Sequence, residues 1–380
     1  MRLFLSAVVF GVWGGSLACS ARYDVGVEPD EAGGRAGGGA SSGGAATGGG
    51  KAGGSVPGGG GFAGSPLPGA AGAAFAANKC SVAQSASSQA LSRPSQVIWE
   101  RISRFLFDEV VQAPEPLPAQ ASAKWAGETV ARLLAGQVEG VSSEPTAGLA
   151  RLLRDWAPES TAVYFAEQLA APDARLGTLW ALPLNAREPQ RRGILADAAL
   201  LRTLPTISGR GTWLREYAFC SPIPAPPAGT PTSLEPQPGM TRREQLESEL
   251  SDPTCAGCHQ LIDPPGYSLE HYDELGRYRE VDNGLPIDSS GSLQGSNETF
   301  VFADAAELAQ QLAVSCDVAH CFAHQLHRDA LFSAVGISAD GVYSEQRELE
   351  VDRIAGAFVR QNFSIAAALR AVVESPSFLR

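Results

Sequence analysis

Cys255-Ala256-Gly257-Cys258-His259 sets two thiols and an imidazole within one short run. Thiols at this spacing can each add across one vinyl group of a porphyrin. The adjoining imidazole is then held beside the iron as its proximal ligand. The run therefore reads as the attachment signature for one covalent haem c, with Cys255 and Cys258 as anchors and His259 as ligand. Two rival chemistries use the same side chains, a structural disulfide and a zinc site. Zinc would need a fourth ligand, and no second C-x-x-C of matching spacing is present.

A sixth iron ligand is less sharply indicated. Met240 is the one methionine after the initiator, and it precedes the motif; His271 follows His259 by twelve residues. Either is a candidate distal ligand, with an open or water-bound sixth position as the alternative, against the plain readings of a packing methionine and a solvated histidine. His320, His324 and His327 recur at i, i+4 and i+7 and share one helix face. Such a face can hold a metal or offer a distal ligand, although three solvated imidazoles is the simpler expectation. Asp263 and Glu270 put carboxylates near the motif. Asp263 is expected to accept backbone N–H groups in a turn rather than to act in chemistry.

Export fits this chemistry. Arg2 followed by the apolar run Leu3 to Val12 and then Ser16-Leu17-Ala18-Cys19 reads as a signal peptide. Cys19 is the residue that a bacterial lipoprotein signal would lipidate, although Ser16 stands where leucine is usual, and a plain secretory signal cleaved nearby is the alternative. The reading is a lipoprotein of the bacterial cell envelope, in the periplasm, at the outer membrane or on the cell surface. It would meet the membrane through its N-terminal lipid. Seven cysteines, less Cys19, Cys255 and Cys258, leave Cys80, Cys220, Cys316 and Cys321 for up to two disulfides. Cys316 and Cys321 are near enough to bond locally, which would leave Cys80 with Cys220. Four reduced, buried thiols are the alternative. A net charge of −12 without a basic stripe argues against nucleic acid as a partner.

The elements that must position the motif follow from composition and periodicity. Residues 1–21 are the signal and lipid site, and 22–79 form a Gly/Ala/Ser/Pro-rich stretch with little to bury, expected to be a disordered tether. Residues 80–221 read as a helical domain, with apolar stripes such as Ile98, Ile102 and Phe105 at helical spacing. Prolines crowd 222–239, an extended linker. Within 240–300, the c-haem-type region, Thr241 and Glu244 form a capping box for a helix from Arg242 to about Leu250. The motif itself is expected on a short turn after Asp252-Pro253. The remainder of the region is expected to be loop-rich. Residues 301–380 form a C-terminal helical domain, with Asp304, Asp317 and Ser364 as helix starts. The fold class is mainly α, with few strands.

A resemblance then emerges from particular runs. Arg192-Gly193-Ile194-Leu195, Gly209-Arg210-Gly211-Thr212-Trp213, and Cys255 to Arg279 with Ile262-Asp263-Pro264, Gly266, Leu269-Glu270, Asp273 and Gly276-Arg277 carry most of it. They resemble a domain of unknown function found in large planctomycete and myxobacterial cytochrome c-like proteins. Pro286-Ile287-Asp288 and Cys321 to Arg380 resemble its C-terminal companion domain, and Glu100 to Leu106 an upstream one. The resemblance implies an exported, helical, c-haem-bearing protein. The chain departs from the resembled pattern at Glu249, where a histidine is common; if that histidine is a distal ligand in relatives, this chain uses another group or leaves the iron open.

Three functions compete. The first is a tethered monohaem protein passing electrons to or from a redox partner in the cell envelope. The second is a haem oxidase or peroxidase, with His271 or Glu249 as distal acid or base. The third is a non-redox interaction lipoprotein whose C-x-x-C-H is a staple.

Overall fold

The computed structural model describes Cys80 and residues 92–114, 116–141, 146–226, 237–249, 253–337 and 345–380. The signal, Cys19 and the Gly-rich stretch lie outside the described residues, as does most of the proline-rich linker.

Apolar spacing and caps produce a mainly helical protein, as the sequence implies. The helices are α1 (Ser95–Phe107), α2 (Ala123–Leu134), α3 (Ala147–Arg154), α4 (Glu159–Leu169), α5 (Leu176–Trp180), α6 (Ala198–Thr203) and α7 (Ile207–Phe219). After the proline-rich stretch come α8 (Arg242–Glu249), α9 (Pro253–Tyr267), α10 (Ala305–Leu312), α11 (Cys316–Ala330), α12 (Glu345–Arg360), α13 (Ile365–Val373) and α14 (Pro376–Leu379). A 3-10 turn (Ile194–Ala196), a π-helical segment directly after α11 (Leu331–Val335) and three small antiparallel pairs complete the described elements: β1 (Ser92–Pro94) with β2 (Gln120–Ser122), β3 (Val281–Asp282) with β4 (Leu285–Pro286), and β5 (Gly291–Gln294) with β6 (Thr299–Phe302). Among the described residues no helix is long and apolar enough to cross a membrane.

Several caps are as expected. Thr241 and Glu244 form a reciprocal box, with Thr241 N–H donating to Glu244 Oε2 at 2.7 Å. Asp304 accepts from Glu307 N–H, and Ser364 from Ala367 N–H. Asp317 does not cap α11. Ser315 holds that place, accepting from Val318 N–H, while Asp317 accepts from Asn297 and Glu298 and ties the turn of the β5–β6 hairpin to the helix. Neighbouring polar residues competed for one cap, and the one with extended backbone took it.

The core runs from Ile98 to Leu379 and draws on helices from both sides of the proline-rich stretch. Trp156 and Trp180 stack with ring centroids 6.5 Å apart; Trp180 meets Trp213 of α7 edge-on, and Trp156 meets Phe322 of α11 in the same way. Buried rings of this size carry much of the apolar area, at about 25 cal/mol for each Å² removed from water.

Two disulfides join Cys80 to Cys316 and Cys220 to Cys321, with Cα atoms 5.6 and 5.4 Å apart. This corrects the expected local pairing of Cys316 with Cys321. Both lie on α11, five residues apart, so their side chains project in different directions and cannot meet. Cys220→Ser with Cys321→Ser, opening a loop of sequence separation 101, is expected to lower unfolding free energy by about 2–4 kcal/mol. Denaturant titration of the doubly substituted chain against the parent measures this.

Candidate haem-attachment site

The motif sits on a helix, not on a turn. Cys255, Cys258 and His259 fall within α9. At i, i+3 and i+4 the three side chains share one helix face. Cys255 is half-buried, Cys258 is exposed, and both thiols are free, while all four other described cysteines are paired.

The helix survives two interior prolines, Pro264 and Pro265, each of which removes a backbone donor. Tertiary contacts compensate. Arg215 donates to the Leu261 carbonyl, the acceptor that an N–H at position 265 would have used. Helix α7 lies backbone-to-backbone on α9. A Cβ on Gly211 would collide with the Ile262 carbonyl, and one on Gly266 with the Ile207 carbonyl. Only glycine permits that approach at both crossings.

Close crossing delivers Ser208 of α7 to the middle of α9. Ser208 Oγ–H donates to Asp263 Oδ1 at 2.7 Å, and the other oxygen of Asp263 lies 2.9 Å from His259 Nδ1. The Asp263 side chain is fully buried, whereas that of His259 is 34% exposed. In the tautomer that carries its proton on Nδ1, His259 donates to the Asp263 carboxylate and leaves Nε2 as the nitrogen that would meet a metal. Burial pushes the Asp263 carboxyl up from its ordinary value, and the Ser208 and His259 hydrogen bonds oppose this. Asp263 therefore does not bind backbone N–H groups in a turn as expected; it orients the histidine.

A second clamp fixes the chain just beyond α9. The buried Arg210 guanidinium donates to the carbonyls of Leu204, Leu269, Tyr272 and Asp273. Burial pushes its pKa down to about 10, still far above neutrality. Arg191 donates to the Ala196 and Gly276 carbonyls and lies over the Tyr272 ring, 4.8 Å from its centroid. Glu270 is buried within 3.6 Å of Arg279; burial raises its carboxyl, and Arg279 and Arg210 oppose the rise.

The two candidate distal ligands lie in separate settings. His271 donates from Nδ1 to the Arg279 carbonyl at 2.8 Å and stacks on Tyr278 with centroids 5.3 Å apart. Met240 offers its backbone carbonyl to Asn283 Nδ2. No hydrogen bond or ring contact joins either residue to His259. The side chain of Glu249 lies outside the described residues.

The face carrying His320, His324 and His327 is not the solvated row the periodicity suggests. His320 Nε2 lies 3.0 Å from Asp352, and His327 is fully buried with Nε2 3.3 Å from Glu350, itself buried. Helix α12 covers α11, which places a carboxylate opposite two of the three imidazoles. Among the described residues no three His, Cys, Asp or Glu side chains are gathered as for a metal ion. Burial, with Arg328, His320 and His327 adding to it, pushes the His324 pKa down to about 4.

An unfolded histidine titrates near about 6.5, so between that pH and about 4 the unfolded chain binds the extra proton. Stability is then lost as pH falls through this window. Thermal melts from pH 7 to pH 4 are expected to show a falling midpoint, with a shallower slope in His324→Gln.

Against haem c, the residues present fit at the points of attachment. Two free thiols and an imidazole anchored through Nδ1, with Nε2 left for a metal, occupy one accessible helix face. Sequence reasoning missed Ser208 altogether and misassigned Asp263. The His259-to-Asp263 spacing of i, i+4 is visible in sequence, but it is informative only once the segment is known to be helical.

Residues 191–282 match a family model described as PSCyt3, protein of unknown function (DUF1588). The matched stretch contains the Arg191 and Arg210 clamps, α7, and α9 with the whole Cys255–Asp263 constellation. No curated protein and no solved structure matches the chain.

Proposed function

We propose that this chain is an exported, lipid-anchored protein that carries one covalent haem c and exchanges electrons with a redox partner in the cell envelope. The observation that carries the reading is the shared face of Cys255, Cys258 and His259, with His259 Nδ1 held by a buried carboxylate. Haem c, when bound, supplies a one-electron iron couple. The chain's own residues do the rest. Cys255 and Cys258 fix the porphyrin through thioether bonds, and His259 presents Nε2 to the iron. Asp263 holds the Nδ1 proton and with it the orientation of the ring.

Support over a structural staple comes from the cysteines. Four of those described are paired and the two of the motif are free. Paired cysteines suit an oxidising compartment outside the cytoplasm, where c-type attachment also takes place. Anchoring rests on Cys19 and the run before it, both outside the described residues.

Expression with a c-type haem-maturation system tests the proposal. The mature chain should gain about 0.6 kDa that survives denaturation, together with a Soret band retained after acid–acetone extraction. A colourless protein whose Cys255 and Cys258 remain open to alkylation would sink it.

A further inference from the structure

We infer that Asp263, itself restrained by Ser208, sets the reduction equilibrium of the iron bound to His259. The inference rests on the haem reading above. A histidine bound through Nε2 becomes a stronger electron donor as its Nδ1 proton is drawn toward an acceptor. A carboxylate draws that proton harder than a neutral carbonyl does, because the bond is charge-assisted. The chain contains both arrangements. His271 Nδ1 donates to the backbone carbonyl of Arg279, whereas His259 Nδ1 faces the carboxylate of Asp263.

Burial makes the difference count. The Asp263 side chain is fully buried, so water screens its charge from the ring 2.9 Å away less than it would between two exposed groups. A stronger donor favours the oxidised iron, so Asp263 lowers the reduction potential. Ser208 acts in the opposite sense. Its hydroxyl bonds Asp263 Oδ1 at 2.7 Å and takes up part of the carboxylate's accepting capacity. The Gly211 and Gly266 crossings hold α7 and α9 at the separation this bond requires. Ser208 and Asp263 are thus positioning residues with opposed signs.

Spectroelectrochemical titration of the haem-loaded full chain tests this with Asp263→Asn and Ser208→Ala. Asp263→Asn keeps a hydrogen-bond acceptor but removes the charge. It should shift the equilibrium toward reduced iron by at least about tenfold, about 59 mV for one electron. Ser208→Ala should shift it the other way by a smaller factor. Loosened packing would move both variants in the same direction, since both open the same buried pocket. The iron–histidine stretching frequency should fall in Asp263→Asn.

Covalent mass in place with an unchanged Asp263→Asn potential overturns this inference alone. If Asp263→Asn fails to mature, Ser208→Ala decides, and no shift or an upward shift overturns it. Absence of covalent mass from the unsubstituted chain removes the haem reading and this inference with it.

Discussion

His259→Ala is expected to keep the covalent haem mass and lose the unsubstituted chain's ligation spectrum, whereas Cys255→Ser with Cys258→Ser loses the covalent mass entirely. Attachment and ligation use different atoms. The two sulfurs would form the thioether bonds, and the imidazole Nε2 would meet the iron. Removing the ring also strands Asp263, whose buried carboxylate keeps only the Ser208 hydroxyl among its two side-chain partners. A buried charge that loses a hydrogen-bond partner costs about 1–3 kcal/mol or more. His259→Ala should therefore also lower the melting temperature, and His259→Asn, which can still donate to Asp263, should recover part of the loss without restoring the spectrum. Intact mass, absorption spectra and thermal melts on the same samples separate these effects. An unaltered spectrum in His259→Ala would show that another residue is the ligand.

Gly211→Val is expected to be the most damaging single substitution around the site. The added side chain would enter the Ile262 carbonyl, which is backbone and has no rotamer into which to retreat. Ordinary overpacking of a core costs about 1–3 kcal/mol, and a clash between two helix backbones should exceed it. The helices would have to separate, drawing Ser208 away from Asp263 and the Arg210 clamp from the carbonyls after α9. Gly257→Ala provides the control. It lies within the motif on an exposed turn of α9, and its added methyl meets open space. Denaturant titration should show a large loss for Gly211→Val and almost none for Gly257→Ala, with haem uptake intact in the latter. Equal losses in the two would mean that the α7–α9 crossing does not govern the site.

By itself the amino-acid sequence determined the mainly helical class and most of the longer helices. These rest on local causes: apolar residues at 3.6 spacing from Ile98 to Phe105, the Thr241–Glu244 box, and the Asp304 and Ser364 caps. The sequence also set two thiols and an imidazole in one contiguous run, Cys255 to His259, the group on which the haem proposal is built. Tertiary structure decided what lies around those atoms. Asp252-Pro253 and Pro264-Pro265-Gly266 argue locally for turns, yet Pro253–Tyr267 is helical because α7 packs on it at two glycines and Arg215 takes up a freed carbonyl. The pairing of Cys220 with Cys321 and the burial of His327 against Glu350 are likewise long-range facts. Ser208 reaches Asp263 across 55 positions of chain. No window of helical or strand length contains both residues, so only the packing of two helices could bring them together.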